Sequence, residues 1–121
     1  MMAGVVAVEE ALPALEESDA ACITFVGSMA SKFFFFRSSY GPAKAAMRAY
    51  ANELAQSLGQ KGIRANAISP GAIYFPGGEW DRRKLESPEF YARLERAIPL
   101  GRLGSGEEIA RIIAFVSSPA G

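Results

Sequence analysis

The sequence has no histidine and a single cysteine, Cys22. One thiol cannot form a disulfide within the chain, and the shortage of thiol and imidazole excludes a Cys/His zinc site. The commonest general base of enzymes is missing too, so any proton chemistry falls to other groups. A surplus of charge is also lacking, since 13 Lys and Arg balance 13 Asp and Glu and the cations are scattered, not gathered into a basic stripe. That sets aside nucleic acid and anionic membrane surfaces as partners. The N-terminal stretch MMAGVVAVEEALPALEE carries no basic residue ahead of its apolar ones and reaches Glu9 and Glu10 early. It reads as neither a signal peptide nor a membrane span, and a reducing cytoplasm is the expected location.

What is present is an apolar half of a 121-residue chain, the make-up of one folded domain over residues 1–121. A chain of this size buries roughly two-thirds of its unfolded surface, enough for one core. Residues 4–16 place Val5, Val8, Leu12 and Leu15 at helical spacing with glutamates between them, and Pro13 is expected to close or kink that helix. CITFVGS, rich in β-branched and aromatic residues, reads as a buried strand ending at Gly27 and Ser28. Residues 40–58 form the best-marked helix, alanine-rich, with Met47, Leu54 and Leu58 at helical intervals and Pro42 in the first turn. A second short strand, IRANAIS, stops at Pro70 and Gly71. Strand, helix and strand of these lengths make a βαβ unit with a parallel pair.

Farther on, YFPGGEWDRRKLE reads as a glycine-rich, then charged, mobile loop. The next segment, SPEFYARLERAI, is a helix with Ser87 as N-cap and Pro88 at its first position. Ser105 and Glu108 form a capping box ahead of EIARIIAFVSS, with Ile109, Ile112, Ile113 and Val116 on one face. Two strands are marginal as an isolated sheet, so the pattern reads as part of a larger one.

The chemistry-bearing residues gather around the βαβ unit. Tyr40 and Lys44 are four apart at the start of a helix and project from one face. A fixed cation beside a phenol favours phenolate and draws a group of pKa about 10 toward proton exchange at neutral pH. Ser28 lies at the end of the first strand, twelve positions before Tyr40. The second strand ends in Pro70 and Gly71, and the C-terminal strand ends of parallel sheets are where ligands bind.

These segments resemble the short-chain dehydrogenase/reductase family: ITFVGS, YGPAKAAM opening a helix, GIRANAISPGAI, and PLGRLGSGEEIARIIAFVSSP near the end, in that order. The resemblance implies an α/β fold, a partial Rossmann-type, doubly wound parallel sheet in three α/β/α layers. It implies NAD or NADP as cofactor, with only the nicotinamide half-site in this chain, and a small hydrophobic alcohol or ketone as substrate. By the same resemblance Tyr40 is the acid/base, Lys44 assists it and binds the nicotinamide ribose, and Ser28 polarises the substrate oxygen. Pro70, Gly71 and Ile73 would line the nicotinamide. Residues 4–16 and 40–58 correspond to helices that pair across the family's dimers, which implies a homo-oligomer.

The departures from the family pattern bear on function. The glycine-rich turn that cradles the pyrophosphate is not among these residues, and GRLGSGEE is a helix cap by its Ser105 and Glu108. The register places the family's relay asparagine just before Met1. Phe75 stands where the family often has a cofactor-contacting threonine. Ser31, Ser38 and Ser39 are alternatives for the serine role, each off the strand end. Four phenylalanines, residues 33–36, fit neither helical nor strand period. The resemblance sets them beside the substrate pocket, with Phe34 and Phe36 as candidate apolar walls. The competing expectation is a catalytically inactive remnant whose role is helix-mediated association.

Overall fold

The computed structural model describes residues 1–33 and 38–121. They form two compact units, Met1–Ser69 with Ile113–Gly121, and Pro70–Ile112.

In the first unit the strands β1 (Cys22–Val26) and β2 (Arg64–Ile68) pair in parallel, Cys22 opposite Arg64 and Val26 opposite Ile68. Helix α2 (Tyr40–Leu58) connects them, with the bounds its composition predicts. Helix α1 (Met2–Glu16) runs through Pro13 to Glu16, so Pro13 does not close it. Pro13 lies on the exposed face, where the carbonyl left without its N–H partner meets water. Period-two alternation sends Ile23, Phe25, Ala65 and Ala67 to one face of the sheet. They pack there with Val8 and Leu12 of α1 and with Met47, Ala51, Leu54 and Leu58 of α2. The rings of Phe25 and Tyr50 meet at 5.9 Å and 60°.

The opposite face corrects the expectation of a fully buried first strand. Only Phe25 of β1 is buried, and Val26 is exposed. That face carries Cys22, Thr24, Arg64 and Asn66, and the last residues of the chain lie against it. Thr24 and Ser117 share a hydroxyl hydrogen bond of 2.8 Å. Arg64 donates to the carbonyls of Val116 (2.7 Å), Ser118 (2.8 Å) and Gly121 (3.2 Å). A guanidinium so placed satisfies carbonyls at the C-terminal end of helix α5 (Gly106–Ser117), where the helix dipole favours a cation.

In the second unit β3 (Ile73–Tyr74) pairs in parallel with β4 (Gly104–Ser105). The expected charged loop contains a helix, α3 (Glu79–Glu86). Its apolar period is weak. Charge holds it instead: Glu79 and Asp81 lie in the first turn, Arg83 and Lys84 in the last, and Glu79 pairs with both Arg82 and Arg83. Helix α4 (Pro88–Ala97) follows after one residue, Ser87, whose N–H closes α3 on the Arg83 carbonyl at 2.9 Å. Ser87 occupies the N-cap position as expected, but its side chain makes no capping bond.

The capping box before α5 is formed. The Ser105 N–H donates to Glu108 Oε2 at 2.8 Å, and the Glu108 N–H donates to Ser105 Oγ at 3.3 Å. Arg102 adds a two-pronged bond to the same carboxylate, at 2.9 and 2.6 Å. The guanidinium first, then the Ser105 N–H, pull the Glu108 carboxyl from 4.5 down to about 2. A carboxyl lowered on folding stabilises the fold above its unfolded value, and that contribution is lost as pH falls from 4.5 to about 2. Thermal melts across that window should therefore show a fall in stability that Glu108→Gln reduces. Identical pH profiles for the two proteins would refute the coupling.

Candidate active site

Ser28 takes its place from β1. One residue beyond the strand, the Gly27 N–H donates to the Ile68 carbonyl at 2.7 Å, which extends the parallel ladder and fixes where the chain leaves it. Ser28 is extended and caps a short turn, Met29–Ser31, its Oγ accepting from the Ala30 N–H at 3.2 Å. That bond uses a lone pair and leaves the hydroxyl proton free to donate.

Tyr40 is the first residue of α2, and its N–H donates to Ser38 Oγ at 3.0 Å. The residue is 53 % exposed. One turn on, Lys44 stands 5.7 Å from the centre of the Tyr40 ring, within cation–π range. Its Nζ also donates to the Val26 carbonyl at 2.9 Å, at the end of β1 and two residues before Ser28. The expected Tyr40–Lys44 face is formed, and the lysine ties it to the serine strand. That tie has no signal in the sequence, because it joins residues 18 apart through a main-chain acceptor.

The alternative serines lie elsewhere. Ser31 is 5 % exposed with an unbonded Oγ, Ser38 is engaged at the start of α2, and Ser39 is exposed at its N-cap position. Phe34 and Phe36 lie outside the described residues. Pro70, Gly71 and Ile73 belong to the second unit. Gly71 is exposed, Ile73 is paired with Gly104 in the β3–β4 ladder, and the Gly104 N–H donates to the Ala72 carbonyl at 2.9 Å. A surface cavity of about 520 Å³ at the α3–α4 junction, lined by Glu86, Ser87, Pro88, Glu89, Phe90 and Arg93, contains none of the candidate residues. Among the described residues no group of three or more His, Cys, Asp or Glu gathers to hold a metal, and no helix is long and apolar enough to cross a membrane.

The family model described as enoyl-(acyl carrier protein) reductase matches residues 2–121. With that match over nearly the whole chain and this fold, the chain belongs to the short-chain dehydrogenase/reductase family. Among curated proteins it is similar to isoepoxydon dehydrogenase patN of Aspergillus clavatus, 41 % identical over 114 residues, which is 93 % of this chain and 44 % of the relative. It is 46 % identical over 77 residues to a probable 2,4-dienoyl-CoA reductase of Bacillus subtilis, covering 63 % of this chain and 30 % of that one. Among solved structures, an oxidoreductase of the short chain dehydrogenase/reductase family from Burkholderia thailandensis superposes with a TM-score of 0.88 at 31 % identity, over 99 % of this chain and 46 % of that one. An NADPH-bound short chain oxidoreductase from Pseudomonas aeruginosa PAO1, with an atypical catalytic center, matches at TM-score 0.80 and 35 % identity, over 93 % of this chain and 44 % of that one. The chain thus spans less than half the length of these relatives.

Proposed function

We propose that this chain carries the proton-transfer site of an NAD(P)-dependent oxidoreductase that interconverts a hydrophobic alcohol and its ketone. The observation that carries the reading is Lys44, which stands beside the Tyr40 ring while bonded to the last carbonyl of the serine strand. Similarity to an NADPH-bound oxidoreductase and to a dehydrogenase supports the cofactor class and the reaction type.

The donors present fit such a cofactor. An ammonium has three N–H donors, and the Val26 carbonyl takes one, which leaves two for a pair of ribose hydroxyls. The nicotinamide ring, when bound, would supply or accept the hydride. Tyr40 exchanges the proton with the substrate oxygen at its phenolic oxygen, with the Lys44 ammonium beside its ring. Ser28 donates its free hydroxyl proton to the same substrate oxygen. Pro70, Gly71 and Ile73 line the nicotinamide, Gly71 leaving the main chain open to close approach.

The test is hydride transfer by the full gene product. With NAD⁺ or NADP⁺ and a panel of hydrophobic secondary alcohols, the absorbance of reduced nicotinamide is expected to rise for at least one pairing. Absence of transfer with both cofactors, in either direction, would remove the reading. The second reading, association without turnover, draws on the outer face of α1, where Met2 and Val6 are exposed. It would be favoured by self-association in sedimentation alongside no transfer.

A further inference from the structure

The second unit holds a polar cluster that the proposed chemistry does not use. The carboxylate of Asp81, third residue of α3, accepts from the Tyr74 hydroxyl at 2.8 Å through Oδ1 and from the Gly77 N–H at 2.9 Å through Oδ2. Tyr74 is the last residue of β3 and adjoins Ile73. Gly77 belongs to the turn that follows, closed by the Gly78 N–H on the Phe75 carbonyl at 3.1 Å. Pro76 and Gly77 occupy its central positions, and Gly77 has φ +75°, the left-handed value that the third residue of a type II turn requires.

One carboxylate therefore ties the end of a strand and the turn beyond it to the first turn of a helix. The Lys84 ammonium stands 5.6 Å from the Tyr74 ring centre and 5.4 Å from that of Tyr91. The Gly77 N–H first, then the Tyr74 hydroxyl, hold the Asp81 carboxyl below its usual range, and the bond to Asp81 pushes the Tyr74 phenol up. The proton thus stays on Tyr74 and the charge on Asp81, which sets the direction of the bond. The β4 ladder anchors the other side of β3.

We propose that Asp81 is a positioning residue, which through Tyr74 and Gly77 holds β3 and the Pro70–Ile73 main chain in the geometry that receives the nicotinamide. This rests on the reading that Pro70, Gly71 and Ile73 line that ring. Neither Asp81 nor Tyr74 needs to touch the cofactor. Without the carboxylate, Tyr74 and the turn lose their shared anchor, and the strand end next to Ile73 keeps only the two-residue ladder and the Lys84 contact on the Tyr74 ring.

Two variants of the full gene product test this. Asp81→Asn keeps one acceptor oxygen but sets an amide NH₂ where the second bond formed, and Tyr74→Phe removes one donor and leaves the Gly77 bond. Hydrogen exchange of the Gly77 amide should quicken in Asp81→Asn. The Kd for the reduced dinucleotide should rise about tenfold in Asp81→Asn and about threefold in Tyr74→Phe, less than the full worth of a charge-assisted bond because the loss reaches the ring only through the strand. KM for the alcohol and kcat at saturating cofactor should change less than about twofold, because the bonds lie outside the reacting atoms. A residue that only stabilised the fold would lower the melting temperature and leave Kd unchanged, and that result overturns the proposal. So does unchanged exchange at Gly77. If Asp81→Asn fails to fold, Tyr74→Phe decides alone. Gly71→Val reports on the underlying reading. Weaker binding in Gly71→Val, with wild-type Kd in the other two, overturns only the positioning role, whereas unchanged binding in Gly71→Val overturns both.

Discussion

Replacing Tyr40 with phenylalanine is expected to cut turnover of the full gene product by roughly 10²–10⁴-fold, the usual worth of a positioned general acid/base. The change removes one oxygen from a residue that is 53 % exposed, so the fold loses little. The Lys44 ammonium keeps both the Tyr40-position ring beneath it and its bond to the Val26 carbonyl. Cofactor affinity should therefore stay within about twofold of wild type while kcat and kcat/KM fall together, the signature of an interaction made in the transition state. Near-normal turnover in Tyr40→Phe would take this residue out of the acid/base role and reopen the choice of proton donor.

The largest expected loss of stability comes from Ile63→Ala. Ile63 is 1 % exposed, the largest fully buried side chain among the described residues, and it packs with Val8, Ala21, Phe25, Ala51, Leu54 and Leu58. Its position is set from both sides. Gly62 adopts φ +75° after α2, the Ile63 N–H donates to the Leu58 carbonyl at 3.3 Å, and β2 begins at the next residue. Truncation of such a side chain costs about 2–5 kcal/mol, from lost burial plus the cavity left behind. That is a large share of the roughly 5–15 kcal/mol that holds an ordinary domain together. Urea unfolding followed by circular dichroism should show the midpoint fall with little change in slope. Ile112, 47 % exposed, is the control, and Ile112→Ala should stay within about 0.5 kcal/mol of wild type. Equal losses in the two variants would mean that Ile63 is not at the centre of the core.

Much of the candidate site's local geometry was legible in the sequence because its parts are local. The Tyr40–Lys44 face needs only four residues of helix, and Ser28 at the strand end needs only a β-rich run stopped by glycine. The capping box of Ser105 and Glu108 is a three-residue pattern, and the structure forms it as read. Helix α3 was not legible. Its segment opens with glycines and shows no apolar period, and the pairs of Glu79 with Arg82 and Arg83 act only once a helix exists. Tyr74 and Asp81 carried no signal either, since seven residues and a tight turn separate them.

The sequence by itself determined α2 to the residue, the parallel strands on either side of it, and the capping box of Ser105 and Glu108. These depend on interactions within a few positions along the chain, where spacing alone decides who meets whom. Tertiary structure decided that Lys44 reaches the Val26 carbonyl, that Arg64 clasps the end of α5, and that β1 buries one face and shows the other to the C-terminal residues. Those contacts join residues 18 to 52 and more positions apart. Main-chain carbonyls are their acceptors, and every residue carries one, so only the folded path of the chain selects which is used.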